Sequence, residues 1–195
     1  MPPSDICASI TSAGDLGLAQ SVREKVSLYE VRIDLIGNDW PRVAAGLSRP
    51  WIACNRLASQ GGAYDGNESA RLDVLRRAVE AGAAMVDIEM CAPSVQSFIG
   101  ELKGRVRLIV SHHDFERTED DERLVEIVQC QKDLDADICK VVTSARCSDD
   151  CATVLRLVKR FRSEGVVCFA MGHLGMLSRV LAPLAGAPFT YASLT

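Results

Sequence analysis

The chain has 195 residues, 48% of them hydrophobic and 25% charged, with a formal net charge of −4. That composition suits a globular protein with one sizeable core, and without a basic stripe or a Lys/Arg block it argues against nucleic acid as a partner. The N-terminus has no basic segment followed by a long apolar run, and no apolar stretch reaches the length needed to span a membrane, so neither a signal peptide nor a transmembrane segment is expected.

Eight short apolar runs follow one another along the chain. They cover residues 6–10, 28–36, 50–57, 85–90, 107–113, 137–143, 166–171 and 188–194. Segments with helical spacing lie between them, most clearly 68–81, 120–133 and 149–164. In the last, Val154, Leu155, Val158 and Phe161 form an apolar stripe, while Arg156, Lys159 and Arg160 face away. Gly82 and Gly165 follow two of these segments in the manner of helix-terminating glycines. Strand then helix, repeated, implies right-handed βαβ units and a parallel sheet. Eight such strands predict an α/β fold, a (β/α)8 TIM barrel spanning 1–195 as one domain. Ser193-Leu194-Thr195 ends the sequence where a regular barrel places its eighth helix, so this chain is expected to lack the last helix.

The eight cysteines form no C-x-x-C pair. Cys7, Cys54, Cys139 and Cys168 lie inside apolar runs, where a thiol acts as a small hydrophobe. Reduced, structural cysteines in a cytoplasmic protein are expected, and no metal site is.

Barrel active sites gather at the C-terminal ends of the strands, and several strands here carry charges there. The second run holds Glu30, Arg32 and Asp34, spaced by two and therefore predicted to share one face. The third ends in Arg56. The fourth carries Asp87 and Glu89 on one face, and the fifth ends in Ser111-His112-His113. Adjacent strand residues point to opposite faces, so the two histidines are not expected to form a metal pair, and only one faces the interior. The sixth run holds Lys140 among Ile138, Val141 and Val142. A lysine is rarely buried without a reason, and burial favours its neutral, nucleophilic form. That makes Lys140 a candidate for imine chemistry with a carbonyl substrate. Its pKa would have to fall from about 10.4, and Arg32 and Arg56 are candidate sources of positive charge, opposed by Asp87 and Glu89 if these lie close.

With these residues in view, the chain resembles the type I 3-dehydroquinate dehydratases in their short, archaeal-like form. The motifs that carry the resemblance are Glu30-Val-Arg32-Ile-Asp34, Arg56 followed by Gly61-Gly62, Val86-Asp87-Ile-Glu89, Ser111-His112-His113-Asp114-Phe115, Ala136-Asp137-Ile-Cys-Lys140 and Met171-Gly-His-Leu-Gly175-Met-Leu-Ser178-Arg179. They run through nearly the whole chain in family order. The resemblance implies dehydration of 3-dehydroquinate to 3-dehydroshikimate in aromatic amino-acid biosynthesis. Lys140 matches the imine-forming lysine and His113 the general acid/base. Arg179 matches the arginine that binds the substrate carboxylate. Glu30, Arg32 and Arg56 match residues that hold the substrate hydroxyls, with Asp34, Gln60, Asp87 and Glu89 in support. No metal or organic cofactor is implied, because the lysine supplies the electron sink, and a homodimer is implied. One departure is Gln60, which stands where many members carry a glutamate paired with the catalytic histidine. The readings left beside this one are another Schiff-base barrel enzyme, such as an aldolase, and an inactive homologue.

Overall fold

The computed structural model describes residues 5–194. These fall into two compact units, one made of Ile6–Leu108 with residues 191–194, the other of Asp5 with Ile109–Thr190. Among the described residues no helix is long and apolar enough to cross a membrane.

In the first unit, strands β1 (Asp5–Ile10), β2 (Leu28–Arg32), β3 (Trp51–Cys54) and β4 (Met85–Glu89) alternate with helices α1 (Leu16–Ser21), α2 (Ile33–Ile36), α3 (Trp40–Ala45), α4 (Glu68–Glu80) and α5 (Val95–Leu102). β1 pairs with β2, β2 with β3, and β3 with β4, all in parallel. Every residue of β3 and β4 is buried, as expected of parallel strands covered on both faces. α4 starts because Asn67 caps it, its side chain accepting from the Ser69 and Ala70 N–H groups at 2.8 and 3.3 Å. Leu72, Leu75 and Ala78 then form its buried face.

In the second unit, β5 (Arg107–His113), β6 (Ile138–Ser144) and β7 (Val166–Met171) are joined through α6 (Asp121–Asp133) and α7 (Ser148–Arg160). β6 pairs in parallel with both β5 and β7. Asp120 caps α6 by accepting from the Arg123 N–H at 2.8 Å. α7 carries Asp149 and Asp150 in its first turn and Lys159 and Arg160 in its last, which matches the helix dipole at both ends. Gly165 makes the turn into β7 at φ +72°, and a Cβ there would stand 2.8 Å from the Asp137 carbonyl oxygen. α8 (Met176–Ala185) and β8 (Phe189–Ser193) complete the described chain.

All eight expected strands are present, but the second is shorter than its apolar run. β2 stops at Arg32, and Ile33–Ile36 turn into α2, so Asp34 does not continue the strand face of Glu30 and Arg32. The turn brings the Asp34 carboxylate back onto the Arg32 guanidinium, an arrangement that a straight strand does not allow. The α7 stripe also differs. Val154, Leu157 and Val158 are its buried residues, and Phe161 packs from just beyond the helix end, while Leu155 is only half-buried.

Candidate active site

Strand register decides which side chains share a face. In the first unit Ser9 aligns with Glu30, Arg32 with Cys54, and Cys54 with Asp87. Aligned residues of neighbouring strands point the same way, so Ser9, Glu30, Arg32, Cys54 and Asp87 line one face. The Ser9 hydroxyl donates to Glu30 at 3.1 Å. Glu30, Asp87 and Glu89 are buried, at 4%, 1% and 0% exposure, so each carboxylate needs a partner.

Arginines supply most of that partnership. Arg56, itself 3% exposed, donates from Nη2 to Asp87 at 2.7 Å and lies 3.3 Å from Glu89 through Nη1. Burial works against the Arg56 charge, but Asp87 and Glu89 outweigh it and hold the guanidinium well above its ordinary pKa. Arg32 pairs with Asp34 and is likewise raised, burial being outweighed by its hydrogen bonds to that carboxylate and by nearby acidic groups. The Asp34 Oδ2 also accepts the Ala63 N–H at 3.0 Å, which ties the segment after β3 to the end of β2.

That segment is tightly built. Leu57 donates its N–H to Glu89 at 2.9 Å, Tyr64 donates to the Arg56 carbonyl at 3.1 Å, and Ala58 donates to the Tyr64 carbonyl at 2.8 Å. A Cβ on Gly62 would fall inside van der Waals contact of the Arg56 backbone, 2.5 Å from its carbonyl carbon. This explains why a glycine follows at that point. Gln60 ends the short turn 58–60 and donates to the Ser59 carbonyl at 3.4 Å.

Glu30, Cys54 and Asp87 bring their polar atoms within 4.8 Å of one another, close enough to hold a cation. The donor chemistry is wrong for one. Burial pushes the Cys54 thiol well up, so the thiolate that a metal requires is disfavoured, and Arg56 already occupies Asp87.

In the second unit Ser111 aligns with Lys140, His113 with Val142, and Val142 with Phe169. Lys140, His113 and Phe169 therefore share one face. Lys140 is 4% exposed. His113 is one strand across and two residues along from it, a Cα separation of about 8 Å from strand spacing, which both side chains can close. The His113 ring stacks on Phe115, with centroids 6.0 Å apart and planes 10° from parallel. His112 points the other way, and burial lowers its pKa below the usual value. The buried Gln131 of α6 braces β6 by donating from Nε2 to the Lys140 carbonyl at 2.9 Å.

Arg179 lies in the first turn of α8 with its guanidinium 4.6 Å from the centre of the Phe169 ring. Among the described residues it has no carboxylate partner, unlike Arg32 and Arg56, and burial lowers its pKa. It remains a cation at neutral pH, so a half-buried positive charge stands over the ring without an internal counter-ion. The turn before it is fixed by Ser178, whose hydroxyl accepts from the Ala170 N–H at 2.9 Å and donates to the Gly175 carbonyl at 2.6 Å.

Each unit thus gathers its share of the expected residues: Glu30, Arg32, Asp34, Arg56, Asp87 and Glu89 in one, with Gln60 at a nearby turn; Lys140, His113 and Arg179 in the other. Sequence reading missed Arg71. This α4 residue is fully buried and bonded to Glu68, Glu89 and the Asn55 carbonyl. Its spacing from Glu68 was the available signal, but that spacing looks like an ordinary surface pair on a helix.

Comparison with known proteins bears on the family and the fold. The model of the family described as type I 3-dehydroquinase matches residues 6–195. The chain is 39% identical over 196 residues to a 3-dehydroquinate dehydratase of Dehalococcoides mccartyi, covering 100% of this chain and 86% of the relative. It is 37% identical over 186 residues to the enzyme of that name from Thermococcus gammatolerans, covering 91% and 86%. Among solved structures, the type I 3-dehydroquinate dehydratase of Clostridium difficile, crystallised with covalently modified comenic acid, superposes with a TM-score of 0.87 at 18% identity, covering 98% of this chain and 84% of that one. The 3-dehydroquinate dehydratase of Enterococcus faecalis gives 0.85 at 26% identity, covering 98% and 90%. The likeness in structure shows the fold, the (β/α)8 barrel that the alternation of elements predicts. By the family match and by identity over its full length, the chain belongs to the type I 3-dehydroquinase family.

Proposed function

We propose that this chain, acting as one barrel domain, is a 3-dehydroquinate dehydratase that works through an imine on Lys140. The observation that carries the reading is the common face of β5 and β6, where a buried lysine and a histidine stand on neighbouring strands. Removal from water favours the neutral amine, the form that attacks a ketone. The Lys140 Nζ adds to the substrate ketone and water leaves, giving the imine. His113 takes a proton from the adjacent carbon, and the electron pair is held by the protonated imine as an enamine. The enamine then expels the β-hydroxyl, which leaves as water with the proton that His113 returns. Hydrolysis frees the product ketone and restores the amine, so the net change is loss of one water.

Arg179 is the candidate for the substrate carboxylate, because among the described residues its charge has no carboxylate partner and a guanidinium binds a carboxylate at two points. Glu30, Arg32 and Arg56 are assigned to the substrate hydroxyls, with Asp34, Asp87 and Glu89 holding the two arginines and Gln60 in support. The reaction belongs to aromatic amino-acid biosynthesis and is placed in the cytoplasm. A homodimer completes the proposal, supported by the exposed apolar residues Met176, Leu177, Val180 and Leu184 on α8.

Borohydride reduction in the presence of 3-dehydroquinate tests the reading. Intact mass should rise by one reduced substrate, peptide mapping should place it on Lys140, and Lys140→Ala should lose it. No adduct, or one that survives the substitution, overturns the imine.

A further inference from the structure

We infer that Arg71 is a positioning residue for Arg56, acting through Glu89 and the backbone on either side of Arg56. The inference rests on the reading above in one respect, that Arg56 meets the substrate.

Arg71 sits on α4, outside the strands that carry the other site residues, and its side chain is 0% exposed. All its nitrogens are used. Nε and Nη2 form a two-point pair with Glu68 at 2.7 and 2.8 Å, while Nη1 donates to Glu89 at 2.7 Å and to the Asn55 carbonyl at 2.9 Å. Asn55 and Leu57 flank Arg56. Arg71 therefore holds the residue before Arg56 directly, and it holds the residue after through Glu89, whose Oε1 takes the Leu57 N–H at 2.9 Å. The same Oε1 lies 3.3 Å from the Arg56 guanidinium.

Charge gives the second part of the argument. Glu89 is buried between two arginines, with the shorter contact to Arg71 (2.7 Å) and the longer to Arg56 (3.3 Å). Arg56 makes its own short contact, 2.7 Å, with Asp87. Arg71 thus satisfies Glu89 and leaves Arg56 seated on Asp87. Without Arg71, Glu89 would keep only the Leu57 N–H and its longer contact to Arg56, and would draw Arg56 away from Asp87, because a buried carboxylate that loses its closer cation is left under-compensated. Arg71 itself points into the packing between α4 and β4 and would never touch substrate.

The test uses the purified protein with Arg71→Met, Arg71→Lys and the double variant Arg71→Met/Glu89→Gln, comparing KM and kcat for 3-dehydroquinate with the melting temperature. Arg71→Met should raise KM about tenfold while kcat falls by less than about threefold, the pattern of a lost binding contact. Removing the stranded charge in the double variant should recover most of the KM without recovering the melting temperature, since the bonds to Glu68 and Asn55 stay lost. A KM that follows the melting temperature across the variants, or stays at the wild-type value in Arg71→Met, overturns the proposal. If Arg71→Met does not fold, Arg71→Lys decides. Lysine keeps the charge but not the fork, so KM should rise, and a wild-type KM overturns the proposal. The two readings fail separately. Wild type that traps no substrate on Lys140 removes the site assignment and this inference together, whereas trapping without any effect at Arg71 removes this inference alone.

Discussion

Arg32 and Asp34 form a two-point ion pair across the end of β2, Nε to Oδ1 at 2.9 Å and Nη2 to Oδ2 at 2.7 Å. The Asp34 side chain is 0% exposed and that of Arg32 19%, so the pair is largely removed from solvent screening. The same carboxylate holds the Ala63 N–H. One side chain therefore orients the Arg32 guanidinium and anchors the segment that follows Arg56.

Asp34→Ala should uncouple both. Charge-assisted hydrogen bonds in such a setting contribute about 1.5–3 kcal/mol, so urea unfolding should show a loss of that order. If Arg32 meets the substrate, KM should also rise about tenfold, the equivalent of 1.4 kcal/mol. Asp34→Asn keeps an acceptor and should lose less of each. Unfolding curves of Asp34→Ala that overlay wild type would contradict the coupling.

His112 sets a pH dependence. Burial, the largest influence, outweighs the nearby Asp114 and lowers its pKa from the ordinary 6.5. The unfolded chain then binds a proton at higher pH than the folded one, so stability falls as pH drops through 6.5 and levels off below the folded-state value. Replacing His112 by Gln should flatten this part of the curve. Urea midpoints measured from pH 7.5 down to pH 5 check it, and equal slopes for the two proteins would rule it out.

Two glycines should respond in opposite ways to alanine. At Gly62 the new methyl would run into the Arg56 carbonyl, which is backbone and cannot swing aside. Gly62→Ala should cost about 1–3 kcal/mol and impair activity by shifting the segment around Arg56. Gly100 lies inside α5 with nothing within 4 Å of a built Cβ. Gly100→Ala should stabilise the protein by about 0.5–1 kcal/mol and leave activity unchanged. Thermal melts and turnover of the two variants, measured together, give the comparison.

The strands were legible because parallel strands buried on both faces read as nearly unbroken apolar runs, and β7 matches its run at both ends. The second run was misread at its end. Leu35 and Ile36 continue the apolar pattern, but the chain has already turned into α2, a change of geometry that a carboxylate reaching back to Arg32 favours and hydropathy does not record. Lys140 was legible as a charge among β-branched residues. Arg179 was reached only through its motif, since nothing in the spacing of α8 foretells a guanidinium set against Phe169 from β7. Arg71 stayed hidden because an arginine three residues after a glutamate on a helix ordinarily faces water. Its burial depends on Glu89, which comes from a different element eighteen residues later.

The placement of the cysteines gives the protein its own opening clock. Cys7 and Cys54 are buried in one unit, Cys139 and Cys168 in the other, and Cys91, Cys130 and Cys147 are exposed. A thiol reagent should modify these three at once. It should reach the buried four only as fast as the surrounding strands part, because burial pushes the Cys54 thiol well up and that of Cys139 to about 11. Reading the order in which the buried cysteines acquire mass would show whether the halves carrying Arg56 and Lys140 loosen together or separately, without introducing a probe anywhere in the chain.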